Sequence, residues 1–269
     1  MNADPVGLIA GSGIFPITLF ERMIRAGIRV VVAGIRAHAT EADYRNATYQ
    51  SFAIGEIRAV SAFFRKHGVS QAYMAGGVAW RLRRAVFKPD AALLLSIPWM
   101  IRRGDDFTLR RIAALFHRNG IDISDSTPLL EDLLAPRGDI AGPRLGNEQN
   151  DELTALIARG VVQCRAFVAG DNGQAVTVHG RSWVGREDRK GTNALLQRTP
   201  GPGAVLVKMK KRHQDSRFDR PAIGPSTILV AARVGVTAIA VQAGEVLILD
   251  MEKTVKLCRE HHISLVGVS

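Results

Sequence analysis

Cysteine is scarce in this chain. Cys164 and Cys258 are the two thiols in 269 residues, far apart and outside any Cys-x-x-Cys spacing. That argues against a disulfide framework or a thiolate zinc site and fits a reducing compartment. The first residues lack a basic segment leading into a long apolar core, so no secretory leader is expected and the expected localisation is cytoplasmic. Aromatic residues make up 6%, which leaves little material for stacking on single-stranded bases. The seven histidines (His38, His67, His117, His179, His213, His261 and His262) form no His-x-His or His-Glu-x-x-His ligand set. A Gly-x-Ser-x-Gly nucleophile elbow is also missing. Internal repeats and low-complexity tracts are absent.

Acidic residues are in deficit. Thirty-six Lys and Arg stand against 25 Asp and Glu, a net charge of +11. An excess of that size implies an anionic partner: nucleic acid, a phosphorylated ligand or an anionic membrane face. No helix-turn-helix, RRM or zinc-finger pattern supports the first, so no specific nucleic acid is expected, and a basic nucleic-acid binder survives as an alternative on charge alone. The membrane face has one candidate. Residues 91–101 are apolar and flanked by Arg81, Arg83, Arg84, Lys88, Arg102 and Arg103. Eleven residues fall short of the roughly 20 that span a bilayer. They suit either an interfacial helix with arginines on lipid phosphates or a buried helix with solvated ends.

At 46% hydrophobic and 23% charged, the composition is that of a globular protein of one large or two small domains. Residues 6–10 read as a buried strand, Gly11, Ser12 and Gly13 as a permissive turn, and Pro16 as the start of a helix closed by Gly27. A strand over 28–33 completes a βαβ opening, with turn amides placed where an anion is favoured. Helical periodicity returns at 56–67 and 107–118, strands at 72–75 and 121–123. This alternation predicts a Rossmann-like open parallel sheet over residues 1–135. Ligands of such sheets sit beyond the carboxyl ends of the strands, which makes Gly11, Ser12, Gly13, Gly76 and Gly77 candidate contacts.

Residues 136–150 carry prolines and glycines without periodicity and read as a linker. Beyond them, 151–269 reads as a mixed α/β domain. Helices are expected at 151–160, 192–197, 226–234 and 252–261, and strands at 164–168, 175–178, 204–207, 238–242 and 246–249. The fold class is therefore α/β, an open parallel sheet followed by a mixed α/β domain.

The densest chemistry lies at 214–227, Gln-Asp-Ser-Arg-Phe-Asp-Arg-Pro-Ala-Ile-Gly-Pro-Ser-Thr, preceded by Lys208, Lys210, Lys211 and Arg212. Carboxylates that bind a divalent ion or accept a proton, next to cations that neutralise phosphate oxygens, suit pyrophosphate chemistry. A solvated loop whose acids pair with its own arginines has the same charge pattern.

This stretch resembles the Gln-Asp-x-Arg-Phe-Asp-x-Pro-x-Ile-Gly-Pro-x-Thr signature of the UDP-2,3-diacylglucosamine diphosphatase family of lipid A biosynthesis, in its metal-dependent branch. The likeness extends to Gly7-Leu-Ile-Ala-Gly-Ser-Gly13, to Asp171-Asn-Gly-Gln-Ala-Val176 and to the closing segment around Ile239–Gly244. It implies hydrolysis of a UDP-linked acylated sugar to UMP and a sugar 1-phosphate, with a divalent cofactor, magnesium. Asp219 and Asp215 are then the catalytic and metal-binding carboxylates, with Asn193 a third metal ligand. Gln174, Gly191, Thr192, Lys208, Lys210, Gln214, Arg217 and Thr227 join the glycine turns as substrate contacts, and a homodimer is among the expected partners. One departure stands out: Lys190-Gly-Thr-Asn193 replaces the family's Glu-Gly-Thr-Asp. An ammonium cannot ligate a divalent cation, so a relative that binds the ligand without hydrolysing it is the alternative.

Overall fold

A computed structural model of the chain describes residues 4–78, 97–145, 151–170, 173–188, 190–212, 214–218 and 220–269, with 97–106 described as backbone only. They form two compact units. The first comprises the chain up to Leu130 together with Asp215–Asp219. The second comprises Glu131–Gln214 and Arg220–Ser269.

The first unit is built on five parallel strands, β1 Val6–Ala10, β2 Val30–Ile35, β3 Thr48–Phe52, β4 Gln71–Ala75 and β5 Asp122–Ile123, in the order β3-β2-β1-β4-β5. β2 is a run of Val, Ala, Gly and Ile buried at every position, as a strand covered on both faces must be. Ile9, Val31, Ala33 and Ile35 pack with α2 (Ile57–Lys66) and α3 (Ile97–Arg118). α1 (Ile14–Arg25) contributes buried Leu19, Phe20 and Met23 and packs on β1, β2 and β4. β3 went unread in the sequence because Thr-Tyr-Gln-Ser-Phe lacks an apolar run; it is an edge strand and is mostly exposed. The order reverses between β2-β1 and β4, so the switch point lies where β1 and β4 end.

The second unit has a six-stranded sheet in the order β6-β13-β11-β9-β7-β8. Its centre, β9 (Ala204–Lys208), β11 (Val236–Gln242) and β13 (Ser264–Val268), is parallel. The flanks β6 (Gly138–Ala141), β7 (Ala175–His179) and β8 (Trp183–Arg186) run antiparallel. A two-residue parallel pair joins β10 (Ala222–Ile223) to β12 (Leu247–Ile248). One face of the large sheet carries α4 (Asp151–Ala169). The other carries α5 (Thr192–Gln197), α6 (Pro225–Arg233) and α7 (Met251–Glu260).

Two readings of the sequence change here. The stretch taken as a linker, 136–150, contains β6, which extends the second sheet; residues 146–150 lie outside the described residues. The strand expected at 164–168 is the continuation of α4. Its buried positions, Ile157, Gly160, Cys164 and Val168, recur at helical spacing. Gly160 looked like a helix terminator but is an approach point. A Cβ there would stand 2.6 Å from Val207 Cγ2 and 3.1 Å from Val178 Cγ2, so its absence lets the helix lie close on β9 and β7. The apolar segment 91–101 falls on residues outside the description, apart from the backbone of α3. Among the described residues no helix is long and apolar enough to cross a membrane.

Candidate functional site

In the first unit, the carboxyl ends of β1 to β4 surround a cavity of about 300 Å³, near the lower limit for small-molecule sites. Ile9, Ile35, Ile54, Met74, Leu109 and Phe218 make its wall predominantly apolar, and Gly11, Gly76 and Gly77 lie along it. The two glycine turns are engaged with each other. Gly11 N donates to Ala75 O, Ser12 N and Oγ both donate to Gly77 O, and Gly77 N donates to Ser12 O. A Cβ on Gly11 would stand 2.7 Å from Gly77 O, and one on Gly76, at φ +89°, 2.6 Å from Ser12 O. The amides expected to face an anion at Gly11 and Ser12 are thus spent on closing the cavity floor. Gly13 is exposed, and its φ of +98° turns the chain into α1.

The signature segment enters the same unit. Phe218 is buried in its core and lines the cavity. Asp215 is gripped by Arg217, whose Nη2 donates to Oδ2 at 2.7 Å and Nε to Oδ1 at 3.0 Å. Arg110 Nε stands 3.8 Å from Oδ2, and the Arg217 guanidinium lies 4.8 Å over the Phe218 ring. The Arg217 hydrogen bond, opposed by burial, holds the Asp215 carboxyl below the usual carboxylate range. Its effect on stability is therefore complete above the unfolded value of about 3.9 and is lost as pH falls through the lower folded value. Asp215→Asn should destabilise the chain at pH 7, and the difference from the parent should shrink below pH about 4 in urea titrations. A gap that is constant from pH 7 to 3 would rule out this coupling.

In the second unit, Lys208, Thr192 and Gln174 come together around a residue that the sequence did not single out, Glu187. Lys208, at the end of β9, is buried, and its Nζ donates to Thr192 Oγ1 at 2.8 Å. That hydroxyl donates onward to Glu187 Oε1 at 2.6 Å, and Gln174 N donates to Glu187 Oε2 at 2.7 Å. The hydroxyl is thus committed as acceptor from the ammonium and donor to the carboxylate, which fixes its rotor. Gly191, at φ +82°, caps α5, and Asn193 is exposed on its first turn. Lys190 is exposed, its amide donating to Asp188 Oδ1. Gln214 is buried and closes its own turn, accepting from Lys211 N at 3.2 Å. Thr227 is buried in the first turn of α6. Burial, with the Glu187 charge second, pushes the Cys164 thiol up to about 12, and burial does the same to Cys258. Neither is a thiolate nucleophile at neutral pH. Asp219 and His213 lie outside the described residues.

Two family models cover almost the whole chain: LpxI N-terminal domain over residues 5–133 and LpxI C-terminal domain over 141–266. The chain belongs to the LpxI family. The UDP-2,3-diacylglucosamine pyrophosphatase LpxI of Caulobacter vibrioides is 31% identical over 280 residues, covering 98% of this chain and 97% of that protein. A structure of UDP-glucose 4-epimerase with UDP-glucose from Thermotoga maritima aligns over 43% of this chain and 35% of its own, at 13% identity and a TM-score of 0.28. At that score nothing about this chain follows from it. Of the ligands that the resemblance implies for a metal, Asp215 and Asn193 are among the described residues and Asp219 is not. Among the described residues no group of three or more His, Cys, Asp or Glu is placed to hold an ion. Asp215 has a guanidinium across both carboxylate oxygens.

Proposed function

We propose that this chain hydrolyses the pyrophosphate bond of UDP-2,3-diacylglucosamine, giving UMP and 2,3-diacylglucosamine 1-phosphate in lipid A biosynthesis. The observation that carries the reading is the end-to-end match to a pyrophosphatase of that name, joined to an intact 214–227 signature. In the step itself, a water oxygen bonds to phosphorus, the bridging P–O bond breaks, and the bridging oxygen leaves with the departing phosphate. The proton given up by water passes to a carboxylate, for which Asp219 is our choice. Arg217, Lys208 and Lys210 offset the oxyanion charge; the Thr192 hydroxyl and the Gly191 amide, expected as direct contacts, donate to Glu187 and to Asp188 O instead, and Thr192 acts by holding Lys208. In this reading the first unit acts as a Rossmann-like ligand-binding domain, its cavity taking an acyl chain. The protein works in the cytoplasm, with residues 91–101 touching the membrane face that holds the substrate. A magnesium-type ion belongs to the proposal through the family. Since the described residues do not fit it, no step above runs through it.

A second reading, binding without hydrolysis, is favoured by Lys190 in place of the family's acid and by the occupied carboxylate of Asp215. Purified protein incubated with the substrate and a panel of divalent ions separates the two. Release of UMP is expected, with KM rising about tenfold or more, ~1.4 kcal/mol per decade, for a UDP-glucosamine without acyl chains. Ligand-induced stabilisation with no UMP under any ion would instead select the binder.

A further inference from the structure

A second pair of cations sits at the carboxyl edge of the parallel strands of the second unit. Lys210 follows β9 by two residues, Gln242 ends β11, and Glu245 lies in the turn after it. Lys210 N donates to Gln242 Oε1 at 3.0 Å, which holds the lysine against β11, and Lys210 Nζ donates to Glu245 Oε2 at 3.0 Å. Arg220 Nη1 stands 3.9 Å from that same oxygen, too far for a hydrogen bond. The Arg220 side chain is 8% exposed, and among the described residues its buried Nε and Nη1 have no hydrogen-bond partner. A guanidinium cannot escape burial by losing its proton, and an unmet charged donor is costly. Two cations share one carboxylate, which leaves the cluster with one positive charge in excess. Lys210 at 22% and Glu245 at 35% side-chain exposure keep it open to solvent.

We infer that Lys210 and Arg220 form a phosphoryl-binding subsite for which the Glu245 carboxylate is the internal competitor. Nη1 of a guanidinium can give an N–H to a phosphate oxygen in a charge-assisted hydrogen bond, whereas the shared Glu245 oxygen, 3.9 Å away, leaves Nη1 unmet. A phosphate oxygen between Lys210 and Arg220 would take the place of Glu245 Oε2 and meet the orphaned Nη1 of Arg220. The location agrees with the chemistry, since ligands of parallel strands collect beyond their carboxyl ends. The subsite rests on the hydrolase reading for the identity of its ligand, one phosphate of the nucleoside-diphosphate sugar, but not for its existence.

The test uses the full chain with inorganic phosphate and pyrophosphate as probes, followed by 31P NMR titration. Arg220→Gln should weaken phosphate binding about tenfold or more, and Glu245→Gln should strengthen it several-fold by removing the competitor. The second variant decides the matter even if the first folds poorly. An Arg220–Glu245 pair that is only structural predicts unchanged or weaker phosphate binding in Glu245→Gln, and that result overturns the inference. Bound phosphate displaced by UMP, or by glucosamine 1-phosphate, assigns the subsite to that half of the substrate. Displacement by neither removes the link to the diphosphate. UMP release is scored separately. Tighter phosphate binding in Glu245→Gln without UMP release sinks the hydrolase reading and leaves the subsite, and the opposite pair of results does the reverse.

Discussion

Asp219→Asn is expected to lower the rate of UMP release by about 10² to 10⁴ while leaving the unfolding midpoint unchanged, the range for loss of a general acid-base group. The argument runs through its neighbour. The signature has two carboxylates, and Asp215 has its oxygens on Arg217 with Arg110 close by. A base for water works best when its proton affinity lies near the working pH, and these guanidiniums move Asp215 in the opposite direction. In the proposed step Asp215 orients Arg217, and proton transfer is assigned to Asp219. Asp215→Asn is the contrast: it should lose less rate than Asp219→Asn and more stability at neutral pH. Single-turnover rates alongside urea unfolding measure both, and near-parental turnover in Asp219→Asn would remove that residue from the mechanism.

Lys208→Met should cost about 10² to 10³ in kcat with little change in KM, the range for deleting one preorganised electrostatic contact. The ammonium is buried at the end of β9 and held by Thr192, which Glu187 holds in turn. Charge fixed in advance in a dry setting stabilises charge that develops on phosphate oxygens without reorganising first. Glu187→Gln should lose about tenfold, because an amide has one acceptor oxygen for two donors, Thr192 Oγ1 and Gln174 N. Glu187→Asp, which keeps both acceptor oxygens, should recover part of that loss. A Lys208→Met variant that is less stable but turns over normally would show the lysine to be a structural cation only.

The core elements were legible because their patterns are local. β1, β2, α2 and β4 carry runs or periodicities that one window reveals. The glycine turns were legible, but their engagement with each other was not, since the hydrogen bond between Ser12 and Gly77 spans 65 residues of chain. α4 was cut short because a glycine in a helix reads as an end until the strand beneath it is known. Glu187 had one available signal, an acid just ahead of the Gly191-Thr192 turn. Its role depends on β8 bringing it to Gln174, a pairing that no spacing in sequence displays. Arg220 and Glu245 are 25 positions apart, and neither is remarkable until β11 turns back toward β12.

The grouping of Asp215–Asp219 with the first unit has a consequence for how the protein is made. Phe218 belongs to that unit's hydrophobic core, so a ribosome must deliver most of the chain before the earliest domain to emerge can finish packing. Until then the nascent domain lacks one aromatic side chain of its apolar wall.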